Sequence, residues 1–343
     1  MNVINVAVVD DSIFMRSFIT DMINSFTGYK VIKTFKNGQE LINELNSEKI
    51  DVITLDLNMP VLDGIETLKE LNKMKCNIPV IVLSGDTREY SRKTIECLEN
   101  GAIDFIAKPS GNKYLNISLI KEELLEKLQC IVDSKCKIKL QRDIRKNIRE
   151  YRVKKDIKAI VIGTSTGGPK ALKKILPLFD ETINKPIFVV QHMPGYFTGA
   201  FASRLNKICK LTVKEAIDNE KVENNTIYIA RGGKHLLITS DNKIALEDGE
   251  AVWGVKPAAD KLFVSAVKAY DGKVLSCVLT GMGCDGAYGT KVVKEYGGIT
   301  MCESEESALI YSMPKHALNT GMVDYIIKTD DIAYKILELI KGV

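Results

Sequence analysis

The sequence predicts an α/β chain built from two doubly wound, parallel-sheet domains. Three observations predict it. Short continuous apolar runs alternate with amphipathic helical segments in two successive series, as expected of parallel strands buried on both faces. A stretch without Gly or Pro and rich in Lys and Arg, residues 133–156, separates the two series. The length, 343 residues, suits two domains of about 100–200 residues each.

The first series opens with Ile4–Val9, an apolar run that stops at Asp10-Asp11. Phe14, Phe18 and Met22 then recur at helical spacing over 13–25. Val31–Phe35 reads as a strand, Gln39–Leu45 as a helix, and Val52–Leu55 as a strand ending in Asp56. Ile65–Met74 is helical, Pro79–Leu83 a strand, and Arg88–Glu99 helical. Ile103–Ala107 is a short strand before Lys108-Pro109, a bond that can be cis and so aim the lysine inward. Leu119–Val132 closes the series as a helix, and the first domain is placed at 1–125.

Residues 126–156 read as a basic linker helix. Leu140, Ile144, Ile148 and Tyr151 form one narrow stripe, with basic residues elsewhere. Such a helix can dock on a neighbouring domain, a membrane surface or a partner. The second domain, 157–343, begins with the strand Ala159–Ile162, the loop Gly163–Pro169 and a helix from Lys170. Pro186–Gln191 is a strand ending at His192. Thr226–Ala230, His235–Thr239 and Lys243–Leu246 suggest a small antiparallel patch. Ala259–Tyr270 is helical, and Val274–Leu279 is a buried strand leading into the glycine-rich turn Thr280–Gly286. A helix, a strand near Ile299–Cys302 and a last helix through Ile340 complete the chain.

Composition removes several classes. Hydrophobic residues at 45% and charged residues at 27% exclude a disordered chain or a coiled-coil rod. The net charge is +4, but residues 135–158 hold eleven Lys and Arg against three Asp and Glu, so the remainder is mildly acidic. No nucleic-acid partner is expected from that distribution. No apolar run approaches the ~20 residues of a membrane span, and no signal-peptide pattern opens the chain. The eight cysteines form no CxxC pair and read as reduced thiols in a cytoplasmic protein.

Two sets of strand-end residues carry chemistry. Asp10, Asp11 and Asp56 fall at the ends of the first and third strands, which lie close together in a parallel sheet. Three carboxylates repel one another unless a cation joins them, and hard oxygen donors suit Mg²⁺. Ser84 and Lys108 end the fourth and fifth strands and add a hydroxyl and an ammonium to the same rim, a set fit for a phosphoryl group.

In the second half, Gly163-Thr-Ser165-Thr-Gly167 lies between a strand and a helix. Small flanking residues permit a tight turn that exposes a hydroxyl, and the helix start offers N–H groups to an anion. By itself the loop fits either a nucleophile elbow or part of a nucleotide-binding turn. Only three histidines exist, His192, His235 and His316. His192 ends the next strand, whereas His235 and His316 read as surface or capping residues. Asp285 sits at another strand tip, so Ser165, His192 and Asp285 together favour a serine-hydrolase triad. Their chain order, Ser, His, Asp, is not that of the α/β-hydrolases.

Residues 3–125 resemble the response-regulator receiver domain, through Asp10-Asp11, Asp56 with Met59-Pro60 and Asp63-Gly64, Ser84-Gly85, and Asp104-Phe105 before Lys108-Pro109. The resemblance implies a flavodoxin-like fold in which Asp56 accepts phosphate from a chemotaxis sensor histidine kinase. It also implies that Asp11, Asp56 and the backbone carbonyl of Asn58 hold Mg²⁺ with Asp10 nearby, and that Ser84, Phe105 and Lys108 act as the switch. The second half resembles the catalytic domain of the chemotaxis protein-glutamate methylesterases, through Gly163–Pro169, Gln191-His192-Met-Pro194, Thr280–Gly286, Glu303 with Ser307-Ala308, and Met313-Pro314. Val255-Lys256-Pro257-Ala258 departs from the His-Arg-Pro-Ser-like stretch common there. This second resemblance implies a Rossmann-like esterase that needs no cofactor for ester hydrolysis. Ser165 would be the nucleophile, His192 the base, Asp285 the orienting acid, and Thr166 and Met282 the oxyanion loops. The substrate would be glutamate methyl esters, and glutamines, on methyl-accepting chemotaxis receptors. The resting receiver is expected to cover the esterase cleft. Two rivals fit less well: a nucleic-acid effector lacks a helix-turn-helix pattern, and a nicotinamide-dependent reductase using 163–168 lacks an acidic ribose partner.

Overall fold

A computed structural model of the chain describes residues 3–45, 49–85, 88–108, 117–136 and 156–341. Two units separate between Lys139 and Leu140. The first contains β1 (Ile4–Val9), α1 (Ile13–Asn24), β2 (Tyr29–Phe35), α2 (Gly38–Glu44), β3 (Val52–Asp56), α3 (Gly64–Lys73), β4 (Val80–Ser84), α4 (Arg88–Glu99), β5 (Asp104–Ala107) and α5 (Ile117–Cys136). The strands are parallel in the order β2-β1-β3-β4-β5. The order reverses between β1 and β3, and the carboxyl ends at such a switch point form a crevice.

Val6 and Val8 of β1, Val52 of β3 and Ile81 of β4 share one core with Ile19, Met22 and Ile23 of α1 and Leu124, Leu128 and Ile131 of α5. α5 therefore runs past residue 125, where the sequence reading closes the first domain, because its apolar row continues on the sheet. Residues 137–155 of the predicted linker, including the stripe from Leu140 to Tyr151, lie outside the described residues, as does Pro109 with its expected cis bond. α1 forms where the helical spacing places it. Its buried face is Ile19, Met22 and Ile23, while Phe14 is 74% exposed and stacks on Phe18. A pure i, i+4 row drifts around the helix, so Phe14 leaves the face on which Met22 sits.

The second unit contains β6 (Ala159–Thr164), α6 (Gly168–Ile175), β7 (Ile187–Gln191), α7 (Gly195–Asn206), β8 (Thr212–Glu215), β9 (Thr226–Ile229), β10 (His235–Ile238), β11 (Ile244–Glu247), α8 (Ala259–Ala269), β12 (Val274–Val278), α9 (Ala287–Glu295), β13 (Ile299–Glu303), α10 (Ser312–Asn319), β14 (Tyr325–Ile327) and α11 (Thr329–Lys341). Seven parallel strands run β14-β13-β12-β6-β7-β9-β8. The antiparallel patch is the two-stranded sheet β10–β11. β9, expected beside it, belongs to the parallel sheet, where Tyr228 stacks on Phe188 of β7 at 5.4 Å. α7 and β8 were not expected; the glycines of α7 and the polar sequence of β8 hide the usual periodicities. The first strand of this unit, β6, is central, and the chain leaves it first toward β7 and later toward β12. That is a second switch point. Among the described residues no helix is long and apolar enough to cross a membrane.

Candidate functional site

At the first switch point Asp10 and Asp56 are buried and Asp11 is exposed, each offering a carboxylate oxygen within 4.8 Å of the others. Asp10 Oδ1 accepts from the Ser12 N–H at 2.9 Å, and Asp56 Oδ1 from the Leu57 N–H at 2.8 Å. Lys108 at the end of β5 puts its Nζ 2.7 Å from both Asp10 Oδ2 and Asp56 Oδ1. Burial pushes the Asp56 carboxyl up, against the pull of the Lys108 ammonium. Burial alone would depress Lys108, but the facing Asp56 and Asp10 carboxylates outweigh it and hold the ammonium above its usual value. Three carboxylates against one ammonium leave an excess of two acidic groups around hard oxygen donors, a set that fits a divalent Mg²⁺. Asn58 is exposed, and its side chain accepts from Lys93 Nζ and donates to the Tyr90 hydroxyl.

Ser84 is buried, and its hydroxyl lies 2.5 Å from the Thr94 hydroxyl of α4. It is turned toward that helix rather than joined to the acidic rim, a partner the sequence reading did not name. Phe105 is buried, with Lys127 Nζ 5.5 Å from its ring centre.

At the second switch point, Ser165 follows β6 and precedes α6. Gly167 caps that helix at φ +81°, a conformation that glycine adopts freely. The Ser165 N–H donates to Thr280 O at 3.0 Å, and Ser165 O accepts from Gly168 N–H and Gln191 Nε2. Thr164 pairs with Gln191 across β6 and β7, so Ser165 and His192 are neighbouring residues just beyond the sheet. His192 Nε2 lies 2.8 Å from Asp285 Oδ2. Both side chains are almost fully buried. Asp285 also accepts from the N–H groups of Ala259, Asp260 and Gly286 at 2.6–3.0 Å. Every one of these partners can donate, which matches an acceptor-only carboxylate.

The structure thus brings His192 and Asp285 into contact and puts Ser165 beside them. No hydrogen bond joins the Ser165 hydroxyl to His192 among the described residues, a looseness common before substrate arrives. Thr166 is buried, and its carbonyl accepts from the Thr280 hydroxyl. Met282 is half-buried in the turn after β12, and its N–H has no partner among the described residues. The Cys284 thiol is pushed up by burial and by Asp260 and Asp285, which disfavours a competing thiolate. His235, expected as a surface or capping residue, is not at the surface but does meet a helix start. It is fully buried, its Nε2 lies 2.8 Å from Glu250 O, and its Nδ1 accepts from Ala258 N–H at the start of α8. His316 is exposed, with Nδ1 near Ser312 O.

Thr280 holds the centre together. Its carbonyl accepts from Ser165 N–H and the Thr164 hydroxyl, its hydroxyl accepts from Ile310 N–H, and its own N–H donates to Glu303 Oε2 at 2.8 Å. Glu303 is buried and also accepts from Ser307 and Thr329. Sequence reasoning left Thr280 without a role and named Glu303 only within the resemblance. The usable signal is an acid at the inner end of a buried strand, a position that demands donors.

An acidic, lysine-braced unit followed by an α/β unit with Ser, His and Asp on three strand tips defines a response regulator carrying an effector domain. Family comparison places it. The Response regulator receiver domain family matches residues 6–119 and the CheB methylesterase family residues 160–336. The chain belongs to the CheB methylesterase family. A Clostridium acetobutylicum protein named protein-glutamate methylesterase/protein-glutamine glutaminase is 46% identical over 345 residues, covering 100% of this chain and 99% of its own. A Bacillus subtilis protein of the same name is 38% identical, covering 98% of this chain and 99% of its own. The crystal structure of the Thermotoga maritima CheB methylesterase catalytic domain aligns with a TM-score of 0.52 at 40% identity, covering 54% of this chain and 99% of that one.

Proposed function

We propose that the chain is a cytoplasmic, phosphorylation-activated protein-glutamate methylesterase that also deamidates glutamine, acting on methyl-accepting chemotaxis receptors. The observation that carries this reading is the buried His192–Asp285 pair at 2.8 Å beside Ser165 on the strand-to-helix turn. Ser165 Oγ attacks the ester carbonyl. With Nε2 engaged by Asp285, His192 Nδ1 is the nitrogen left to take the serine proton. The Met282 N–H, with the loop at Thr166, receives the developing oxyanion. The proton passes from His192 to the leaving methoxide, methanol departs, and water hydrolyses the acyl-enzyme by the reverse sequence. The same steps on a glutamine side chain release ammonia. No cofactor takes part in the hydrolysis.

In the first unit Asp56 accepts a phosphoryl group from a chemotaxis sensor histidine kinase. Asp11, Asp56 and the Asn58 carbonyl would hold Mg²⁺, with Asp10 nearby; when bound, the ion neutralises phosphoryl oxygens. Lys108 adds a second positive charge at Asp56, and Ser84 and Phe105 change their packing when that charge is drawn to the phosphoryl group. Ser165→Ala is expected to abolish methanol release from methylated receptor membranes. Wild-type turnover in that variant would remove the nucleophile assignment.

A further inference from the structure

α8 and α9 begin without caps of their own. Their N-cap residues are Ala258 and Gly286, and neither supplies a side-chain acceptor to the orphan N–H groups of the first turn. The two helices exchange carboxylates instead. Asp285, just before α9, accepts from the Ala259 and Asp260 N–H groups that open α8. Asp260, in the first turn of α8, accepts from the Gly286 and Gly289 N–H groups that open α9, at 3.0 and 2.6 Å. The Gly286 N–H is shared, 3.0 Å from Asp285 Oδ1 and 3.0 Å from Asp260 Oδ1. The remaining oxygen of Asp260 accepts from the Trp253 indole N–H at 2.9 Å.

Asp260 is 5% exposed. Taking a carboxylate out of water beside a second one is costly, and burial followed by the Asp285 charge pushes the Asp260 carboxyl up. Each helix N-terminus offsets part of that cost by stabilising the anion aimed at it. We propose that Asp260 is a positioning residue for the hydrolysis, fixing the backbone of the Asp285 turn so that the Asp285 carboxylate meets His192, with Trp253 anchoring Asp260 from outside. A shift of α9 relative to α8 moves Asp285 away from His192, and the Asp260 bridge resists that shift. Gly289 leaves no slack between the helices, since a Cβ there would lie 2.7 Å from Phe263 Cβ. Trp253 reaches in from a turn with φ +55° and is 64% exposed, so its indole can be altered without opening the core.

The inference rests on Ser165 acting as the nucleophile, and the test separates the two. Full-length wild type, Asp260→Asn, Trp253→Phe, Trp253→His and Ser165→Ala are reacted with a fluorophosphonate probe that forms a covalent bond to activated serines. The bimolecular labelling rate is measured, with the reversible and covalent steps resolved, and thermal melting is followed in parallel. Asp260→Asn places an amide where three N–H donors converge, and the covalent step is expected to fall about 10- to 100-fold with reversible binding unchanged. Trp253→Phe removes one donor and is expected to cost roughly 2- to 5-fold, with partial recovery in Trp253→His, whose ring keeps an N–H. Wild-type labelling by Asp260→Asn overturns the proposal. If that variant does not fold, wild-type labelling by Trp253→Phe overturns it instead. Undiminished labelling of Ser165→Ala would remove the nucleophile reading and leave the Asp260 comparison to be judged on methanol release.

Discussion

Gly281→Ala tests how tightly the Ser165 turn is clamped. Gly281 follows Thr280, donates its N–H to Ile310 O and accepts from Met313 N–H. It is not among the glycines with positive φ, so alanine adds no backbone strain there. What alanine meets is contact. Its Cβ would lie 2.3 Å from Met313 Sδ, 2.8 Å from Ser165 Cβ and 2.9 Å from Ser165 N. Met313 is fully buried, but its unbranched thioether side chain adjusts more readily than backbone does. Ser165 is held, because its N–H is fixed to Thr280 O at 3.0 Å and its carbonyl to Gly168 and Gln191. Ordinary contact begins at 3.4 Å, so the serine must retreat by about 0.6 Å. Overpacking of this kind costs about 1–3 kcal/mol of stability. A displacement approaching 1 Å at a reacting atom costs up to about 100-fold in rate. Methanol release from methylated receptor membranes is expected to show kcat down about 10- to 100-fold with KM nearly unchanged. A Gly281→Ala protein with wild-type kcat would refute the clamped geometry.

Two further outcomes follow from buried acids. Asp56→Asn is expected to keep basal esterase turnover and lose its stimulation by a small phosphodonor with Mg²⁺; equal stimulation would remove Asp56 as the acceptor. Burial raises the Glu303 carboxyl above its ordinary 4.5, against the bonds from Thr329, Thr280 and Ser307. The folded chain therefore binds that proton more tightly than the unfolded chain, so this contribution to stability is full below 4.5 and is lost as pH rises through the raised value. Glu303→Gln does not titrate, and its Tm is expected to gain on the wild type as pH rises from about 4 to 8; a pH-independent difference would contradict the assignment.

What the sequence made legible depends on where each residue's partners lie. Strand tips were legible because continuous apolar runs end abruptly at polar residues, which locates Asp10, Asp56, Ser165, His192 and Asp285 along the chain. In a parallel sheet the tips share one rim, so position along the chain becomes proximity in space. Residues whose role is set by a partner on another element were not legible. Asp260 looks like an ordinary acid in the first turn of a helix, His235 like the first residue of an edge strand, and Phe14 like one more apolar residue at helical spacing. Yet Asp260 serves α9, His235 is buried against the start of α8, and Phe14 faces outward. One signal for Asp260 was nevertheless present. Helices opening after Ala258 and Gly286 have no capping side chain, and buried orphan N–H groups must be satisfied from elsewhere. An uncapped helix start beside a catalytic turn therefore asks which acid supplies the acceptor, and here two such starts supply each other. That exchange makes the α8–α9 packing and the orientation of Asp285 a single mechanical unit, in which loosening either cap loosens the acid that faces His192.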